Sequence, residues 1–484
     1  MSDVAEIVGR FLAGCAEPAL LESGEEPLAI TTDNFEITPH KGGFQLQAWD
    51  HRRNIVRRVE AIHSQAHGRL ALRVERFPRR SEVLSLVDRA VASNQGLDLR
   101  GVRLEFRERF RRFLRREFSA WRIAELTTET DFEHSLSPCY PRALLRQGAS
   151  AWAAIGASWD ALSPDSVLTF GLIWLDYLRR REPALAVQGL LLYLPAGHSR
   201  ITCLRLAWLD PRAARYRVFT HTRCGDDLPL DLEDCGNLDT HLRPCTRPLP
   251  SPFDPILEHL ASTPGVSRVD SPDGAVSLRV RGIEFARAGD GRFLTGLETK
   301  RVTPASNLQE IENLAREIAR LRSPEASDRL NPLYLRQPEA WLESQARGHL
   351  EDLDARLLPL PLYGQVPAFA GGDRGVLDLL AADREGRLAV IELKASEDIH
   401  LPLQALDYWM RVHWHAARGD FSARGYFPGL PLRNQPPRLM LVSPALEVHP
   451  ANDCVLRFFS PRIEVERLGV GVEWQQKLKV VSRA

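Results

Sequence analysis

Between Val376 and Trp409 the pattern of apolar and polar positions changes character twice. Val376–Ala382 and Arg387–Ala395 are nearly continuous apolar runs, the pattern of strands buried on both faces. Asp383–Gly386 reads as the turn between them, and from about Leu401 the spacing lengthens to that of a helix. Upstream, PEAWLESQARGHLEDLDARL opens with Pro338 near its first turn. It reads as one amphipathic helix through Trp341, Leu342, Ala346, Leu350, Leu353 and Leu357. YGQVPAF is a first strand. After the Leu401 helix come a strand (RLMLVSPAL), a short helix (ANDCVLRFFS) and a last strand (RIEVERLGV). The C-terminal third is thus expected to be α-β-β-β-α-β with a mixed sheet.

The same reading covers the rest of the chain more coarsely. A helix is expected from Val4 to Ala16, stopped before Pro18, followed by short strands over Leu28–Phe77. SEVLSLVDRAVASN and the basic RLEFRERFRRFLRREFSAW read as helices. Further on, ALLRQGASAWAAIGAS and VLTFGLIWLDYLRRR read as helices, and QGLLLYLP, ITCLRLAWL and RYRVFTH as strands. Pro-rich RPLPSPFDP and SPEASDRLNP read as boundaries. Three regions follow: 1–125, strand-rich with Arg-rich helices; 126–330, a middle α/β region of unknown role; and 331–484. The fold class is α/β, with mixed α/β N-terminal and middle regions before the C-terminal core.

Composition narrows the class without naming a partner. The 484 residues suffice for two or three cores, 44% are hydrophobic, and Lys+Arg and Asp+Glu both number 63. Seven scattered cysteines argue for a reducing compartment, and no signal peptide or bilayer-length apolar run is legible. A cytoplasmic protein without membrane partners is expected. Charge is locally uneven: Arg52–Arg122 holds nineteen Arg against eight Asp/Glu. That excess suits a phosphate-backbone surface or, about equally, a solvated face. Trp49, Phe106, Phe110, Phe113 and Trp121 lie within or beside it; Phe106, Phe110, Phe113 and Phe118, at helical spacing, are expected to be core. His221, Cys224, Cys235, His241 and Cys245 lack the tight pairing of zinc ligands and read as free thiols and loop histidines.

Three charges interrupt the two apolar strands: Asp378, Glu392 and Lys394. Desolvating a carboxylate is costly, so such charges need a reason to be there. Glu392 and Lys394 share a face, and antiparallel pairing through the turn can set Asp378 opposite them. Two carboxylates beside an ammonium form an oxygen-lined pocket for Mg²⁺ or Mn²⁺, with a lysine poised over a water. Only five of the 63 basic residues are lysine, so a lysine at this place is not background usage. A plainer alternative, an exposed hairpin with a cross-strand ion pair, fits apolar flanks poorly. Glu284, followed after thirteen residues by Glu298 and Lys300, echoes the spacing; a plain hairpin with an ion pair is favoured there.

Asp378, thirteen residues, Glu392-Leu393-Lys394, then Gln404 and Tyr408 four apart on the next helix resemble the PD-(D/E)XK nuclease superfamily, in its RecB-like and NucS-type branches. Leu377 stands where the motif's proline would be. The resemblance covers roughly residues 335–466 and implies a restriction-endonuclease-like fold. It implies a Mg²⁺- or Mn²⁺-dependent deoxyribonuclease, an endonuclease serving DNA repair, restriction or defence. Asp378, Glu392 and the Leu393 carbonyl would hold the metal. Lys394 would orient or deprotonate the attacking water, and Gln404 and Tyr408 would position phosphate or water. Glu343 is the candidate extra acid from the first helix, with Glu351 second. DNA is the expected partner, with homodimerisation open. The alternative of another class is a non-cleaving nucleic-acid-binding protein that retains the fold.

Overall fold

A computed structural model describes the chain except residues 1–2, 22–27, 32–33, 41–42, 50–53, 67–68, 77–79, 89–98, 132, 160–163, 223–224, 247–249, 298–299, 305–306, 330 and 371–372. It is a mixed α/β structure, with four sheets among the described residues. The chain divides into two compact units, Met1–Leu238 with Pro450–Pro461, and Asp239–His449 with Arg462–Ala484. Among the described residues no helix is long and apolar enough to cross a membrane.

The first unit opens with the helix Asp3–Ala13 and a seven-stranded antiparallel sheet within residues 18–88. Val8 of the helix shares one buried core with Leu20, Leu46, Val59, Leu72 and Leu86. The described part of SEVLSLVDRAVASN corrects the expected helix: Arg80–Asp88 is a strand. Val83 is exposed and every residue from Leu84 to Asp88 is buried, because a strand pairs on each side. Tertiary pairing overrides a pattern that also suits a helix.

A second layer follows, in the order α1 (Leu99–Glu117), β1 (Arg122–Thr127), β2 (Arg142–Gln147), β3 (Ser150–Gly156), α2 (Val167–Arg181), β4 (Ala186–Pro195), α3 (Arg200–Leu206), β5 (Arg215–His221) and β6 (Asp227–Leu230). The strands lie side by side in chain order, antiparallel except for the parallel β3–β4 and β4–β5 pairs. Two expectations are corrected here. ALLRQGASAWAAIGAS is the β2–β3 hairpin, turned at Gly148, whose φ of +61° is open to glycine and strained for most residues. ITCLRLAWL holds the helix α3, which buries Thr202, Cys203 and Leu206 at helical spacing. Phe106, Phe110, Phe113 and Phe118 are core, as expected, packed on Leu145, Trp152 and Tyr193.

The second unit begins with the helix Asp254–Ala261, a five-stranded antiparallel sheet within residues 266–302 and the helix Leu308–Leu321, around one core. The Glu284 echo is a hairpin with an ion pair, Lys300 Nζ lying 3.3 Å from Glu284 Oε1; Glu298 lies outside the described residues. Next come α4 (Pro338–Gly348), β7 (Tyr363–Ala370), β8 (Asp373–Ala382), β9 (Leu388–Leu393), α5 (Leu401–Ala417), β10 (Arg438–Pro444), α6 (Ala451–Leu456, within the first unit), β11 (Val465–Val470) and β12 (Val480–Arg483). The expected long first helix ends at Gly348, and a separate turn of helix covers Leu350–Leu353. The strand β12 was not expected.

This sheet repeats the earlier one. Its six strands are again in chain order, antiparallel except for the parallel β9–β10 and β10–β11 pairs. In both, a helix precedes the first strand, a long helix lies between the third and fourth, and a short one between the fourth and fifth; the second copy adds single helical turns at Leu350–Leu353 and Asp420–Ala423. The chain therefore carries two copies of one topology, over residues 99–230 and 338–483.

The start of β10 is anchored by a buried ionic cluster. Asp354 Oδ2 accepts hydrogen bonds from Arg438 at 2.5 Å and Arg356 at 2.7 Å, and Arg438 also donates to Glu466 at 2.9 Å. Burial raises the Asp354 pKa, but hydrogen bonds from Arg356 and Arg438 outweigh it and hold the group well below the usual range. This contribution is present above the ordinary aspartate pKa and is lost as pH falls through the depressed value. Asp354→Ala would leave the nearly inaccessible Arg438 without its closest partner. The expected loss, measured by urea unfolding at pH 7, is about 3–5 kcal/mol. A loss below about 1 kcal/mol, the scale of a surface pair, would show that the cluster is not anchoring the strand.

Candidate active site

The apolar alternation of β8 and β9 decides where their charges point. Leu379, Ala381, Ile391 and Leu393 pack with Trp341 and Leu342 of α4. Alternation sends Asp378 and Glu392 to the opposite face. The register Leu379↔Ile391, continued by one residue, sets Asp378 opposite Glu392. At that point Asp378 Oδ2 accepts the Leu393 N–H at 2.8 Å. Glu392 is 4% exposed, and its Oε2 is buried with no hydrogen-bond partner among the described residues. Lys394 follows β9, its N–H donating to the Val442 carbonyl at 3.0 Å.

Electrostatics make this corner unusual. Burial raises the Asp378 pKa to about 7; the Leu393 N–H and Lys394 pull it down, while Glu343 and Glu339 push it up. Burial likewise drives Glu392 well above its ordinary value, Asp378 adding to the shift and Lys394 opposing it. Burial lowers Lys394, but Asp398, Glu392 and Asp378 outweigh it and leave the ammonium above its usual value. Tyr408 is raised by burial and then by the charges of Glu392 and Asp378, so its hydroxyl stays protonated. Without a metal, the corner thus favours the protonated, uncharged form of both carboxyls beside a charged lysine.

Glu343 is buried, and its Oε1 accepts from Arg347 Nε at 2.8 Å, with Arg279 Nη1 3.7 Å away. Gly364, paired with Leu379, makes room for this arrangement: a Cβ there would lie 1.5 Å from Arg347 Nη2 and 3.0 Å from Glu343 Oε1. Glu351 instead pairs on the surface with Arg384 at 3.1 Å. Gln404 and Tyr408 are half-buried on α5, Gln404 making no side-chain hydrogen bond among the described residues. Asp378, Glu392, Lys394 and Tyr408 therefore act on one another; Glu343 reaches Asp378 through its charge, and Glu351 does not join them.

Two further residues were not singled out from sequence. Asp398 Oδ2 lies 3.5 Å from Lys394 Nζ, and its Oδ1 accepts the His400 N–H at 2.7 Å, so one carboxylate tethers the lysine and the entry to α5. Its place four residues beyond Lys394 was the available signal. Arg411, 3% exposed, has a buried Nε without a partner among the described residues and lowers the Tyr408 pKa by its charge. A buried guanidinium left unpaired calls for an anion. Its place one turn beyond Tyr408 on the Gln404–Tyr408 face was the signal.

Among the described residues no group of three or more His, Cys, Asp or Glu side chains is placed to hold a metal; Cys224 of the thiol–histidine set lies outside them. The Asp378–Glu392 pair still fits a hard divalent cation. It offers oxygen donors and an orphaned carboxylate oxygen, and Mg²⁺ is commonly held by one or two carboxylates with waters and phosphate completing its shell.

The other copy shows what the corner is without these groups. Ala157 donates its N–H to the Tyr193 carbonyl at 2.9 Å, as Lys394 does to Val442. Gly156 pairs with Tyr193 as Leu393 pairs with Val442, and Ile155 stands opposite Arg142 where Glu392 stands opposite Asp378. The positions of Asp378, Glu392 and Lys394 are thus occupied by Arg142, Ile155 and Ala157. Arg142 is spent on the Ser137 and Glu129 carbonyls, and Phe106 and Phe110 close against Gly156. No protein-family model matches the chain, and no curated protein matches it in sequence.

Proposed function

We propose that the chain is a divalent-cation-dependent deoxyribonuclease with one catalytic corner, at the C-terminal ends of β9 and β10. The observation that carries this reading is the buried, unpartnered Glu392 carboxylate facing Asp378, whose proton is held to about pH 7, beside a tethered lysine. Such a set is unfavourable in an idle core and is explained by a cation. The α-β-β-β-α-β order within residues 338–470 also supports the PD-(D/E)XK resemblance and its restriction-endonuclease-like core.

In this reading Asp378, Glu392 and the Leu393 carbonyl would hold Mg²⁺ or Mn²⁺. Bound there, the ion supplies charge stabilisation at the scissile phosphate and lowers the pKa of water. Lys394, fixed by Asp398, orients the attacking water and faces the charge that develops on the phosphate. Arg411, Tyr408 and Gln404, on one face of α5, offer a cation and hydrogen-bond donors to the phosphate backbone. Glu343, already paired with Arg347, tunes Asp378 through its charge.

The deciding experiment is a metal titration on chelator-treated protein with linear and branched DNA. Mg²⁺ or Mn²⁺ should restore cleavage, while Ca²⁺ supports binding without cutting. A chain that binds DNA equally with and without divalent ions, and never cuts it, is the non-cleaving nucleic-acid-binding protein instead.

A further inference from the structure

The copy over residues 99–230 keeps the topology and lacks the carboxylates, so its use must lie elsewhere on its surface. A cleft of about 260 Å³ opens there, lined among others by Phe118, Trp121, Trp152, Gln188, Arg215 and Arg217. We propose that this cleft binds single-stranded nucleic acid, seating an unpaired base between Trp121 and the Arg217–Trp152 stack with adjoining phosphates on Arg215.

Three observations carry this. The Arg217 guanidinium lies 5.1 Å from the Trp152 ring centroid and 5.9 Å from that of Phe118, so a flat cation is already layered on aromatic rings. Guanidinium planes and indoles both stack on bases, whatever the base. Next, neither Arg215 nor Arg217 makes a hydrogen bond or ion pair among the described residues, although acids equal bases in the chain. Arg112 and Arg115, exposed on the helix that leads to Phe118, are likewise without partners among the described residues, whereas Arg109 and Arg116 of that helix are engaged by Asp227. Finally, no carboxylate among the described residues lines the cleft, which favours a polyanion over a cationic or acid-paired ligand. Flat rings plus unpaired guanidinium groups match unpaired bases on a phosphate backbone; a duplex keeps its bases stacked inside and offers only the phosphates.

The test uses the full chain carrying Glu392→Gln, in chelator, so that cutting cannot intrude. Fluorescence anisotropy with a labelled oligothymidylate of about 20 nucleotides, longer than one site of this kind, reads binding at ~50 mM salt. Trp121→Ala should weaken binding about tenfold or more. Arg215→Glu should also weaken it and lower the log–log salt slope by ~0.7 or more. Melting curves matching the parent establish that the variants fold; if Trp121→Ala does not, the exposed Arg215→Glu decides. Unchanged affinity in the folded variants overturns the proposal, as does equal competition by duplex or by thymidine monophosphate alone. Because Asp378 and Glu392 play no part, a chain that never cuts DNA leaves this result standing.

Discussion

Glu392→Gln is expected to abolish cleavage and, in the absence of metal, to make the protein more stable at pH 8. Both follow from one carboxylate. Glu392 is nearly inaccessible, its Oε2 has no partner, and burial together with Asp378 raises its pKa well above the ordinary glutamate value. A carboxyl raised in the folded state contributes stability below its unfolded pKa and loses it as pH rises through the folded one. The slope approaches about 1.4 kcal/mol per pH unit while one such group is protonated only in the folded chain. Glutamine is close in shape to the protonated acid and cannot ionise, so the variant escapes this loss. Near pH 5 the two proteins should melt together; at pH 8 the variant should melt higher by a few degrees, about 2–4 °C per kcal/mol for a domain of this size. Cleavage should fall at least about a thousandfold, the scale of removing a group that organises transition-state charge. A purely structural glutamate predicts the reverse: lower stability at every pH and partial activity. Cleavage at the wild-type rate would remove Glu392 from the site.

How much of this was legible depends on where chemistry leaves marks in sequence. The C-terminal elements from YGQVPAF to ANDCVLRFFS read correctly because their apolar runs are bounded by Gly, Pro and a clear change of period. Asp378, Glu392 and Lys394 stood out because charge inside such runs is rare. The other copy was invisible for the same reason. Its corner holds Arg142, Ile155 and Ala157, and its hairpin turns within two residues, so ALLRQGASAWAAIGAS shows neither a charge nor a long break. The spacing echo at Glu284 and Lys300 matches in sequence and not in topology, since that sheet is wholly antiparallel. Duplication at this level is visible only in strand order and register. Asp398 and Arg411 left only a spacing signal, and spacing alone does not say which neighbour a side chain faces; that is a property of packing.

Stabilisation by Mg²⁺ should grow steeply between pH 6 and pH 8. Asp378, raised to about 7, and Glu392, raised well above its ordinary value by burial and by Asp378, interact and lose their protons as a pair rather than singly. A divalent cation takes only the ionised forms, so at low pH it must displace protons, at about tenfold in apparent affinity per proton and pH unit. Lys394 remains charged throughout, because the same acids hold its pKa up. It therefore cannot be the group that titrates in this window. The measurable quantity is the shift in melting temperature on adding Mg²⁺ at fixed concentration. At ten times the dissociation constant, binding to the folded state stabilises by about 1.4 kcal/mol, and at a tenth of it by less than ~0.1 kcal/mol. The shift should thus be near zero at pH 6 and clear at pH 8, with Ca²⁺ following the same pH course. Asp378→Asn should remove much of the pH dependence, since one of the two titrating groups is gone, and leave any residual binding weak. Ordinary surface carboxylates ionise below pH 5, and ions held by them would stabilise equally at pH 6 and pH 8. A shift independent of pH in that range would place the metal away from Asp378 and Glu392, and the catalytic reading of the corner would go with it.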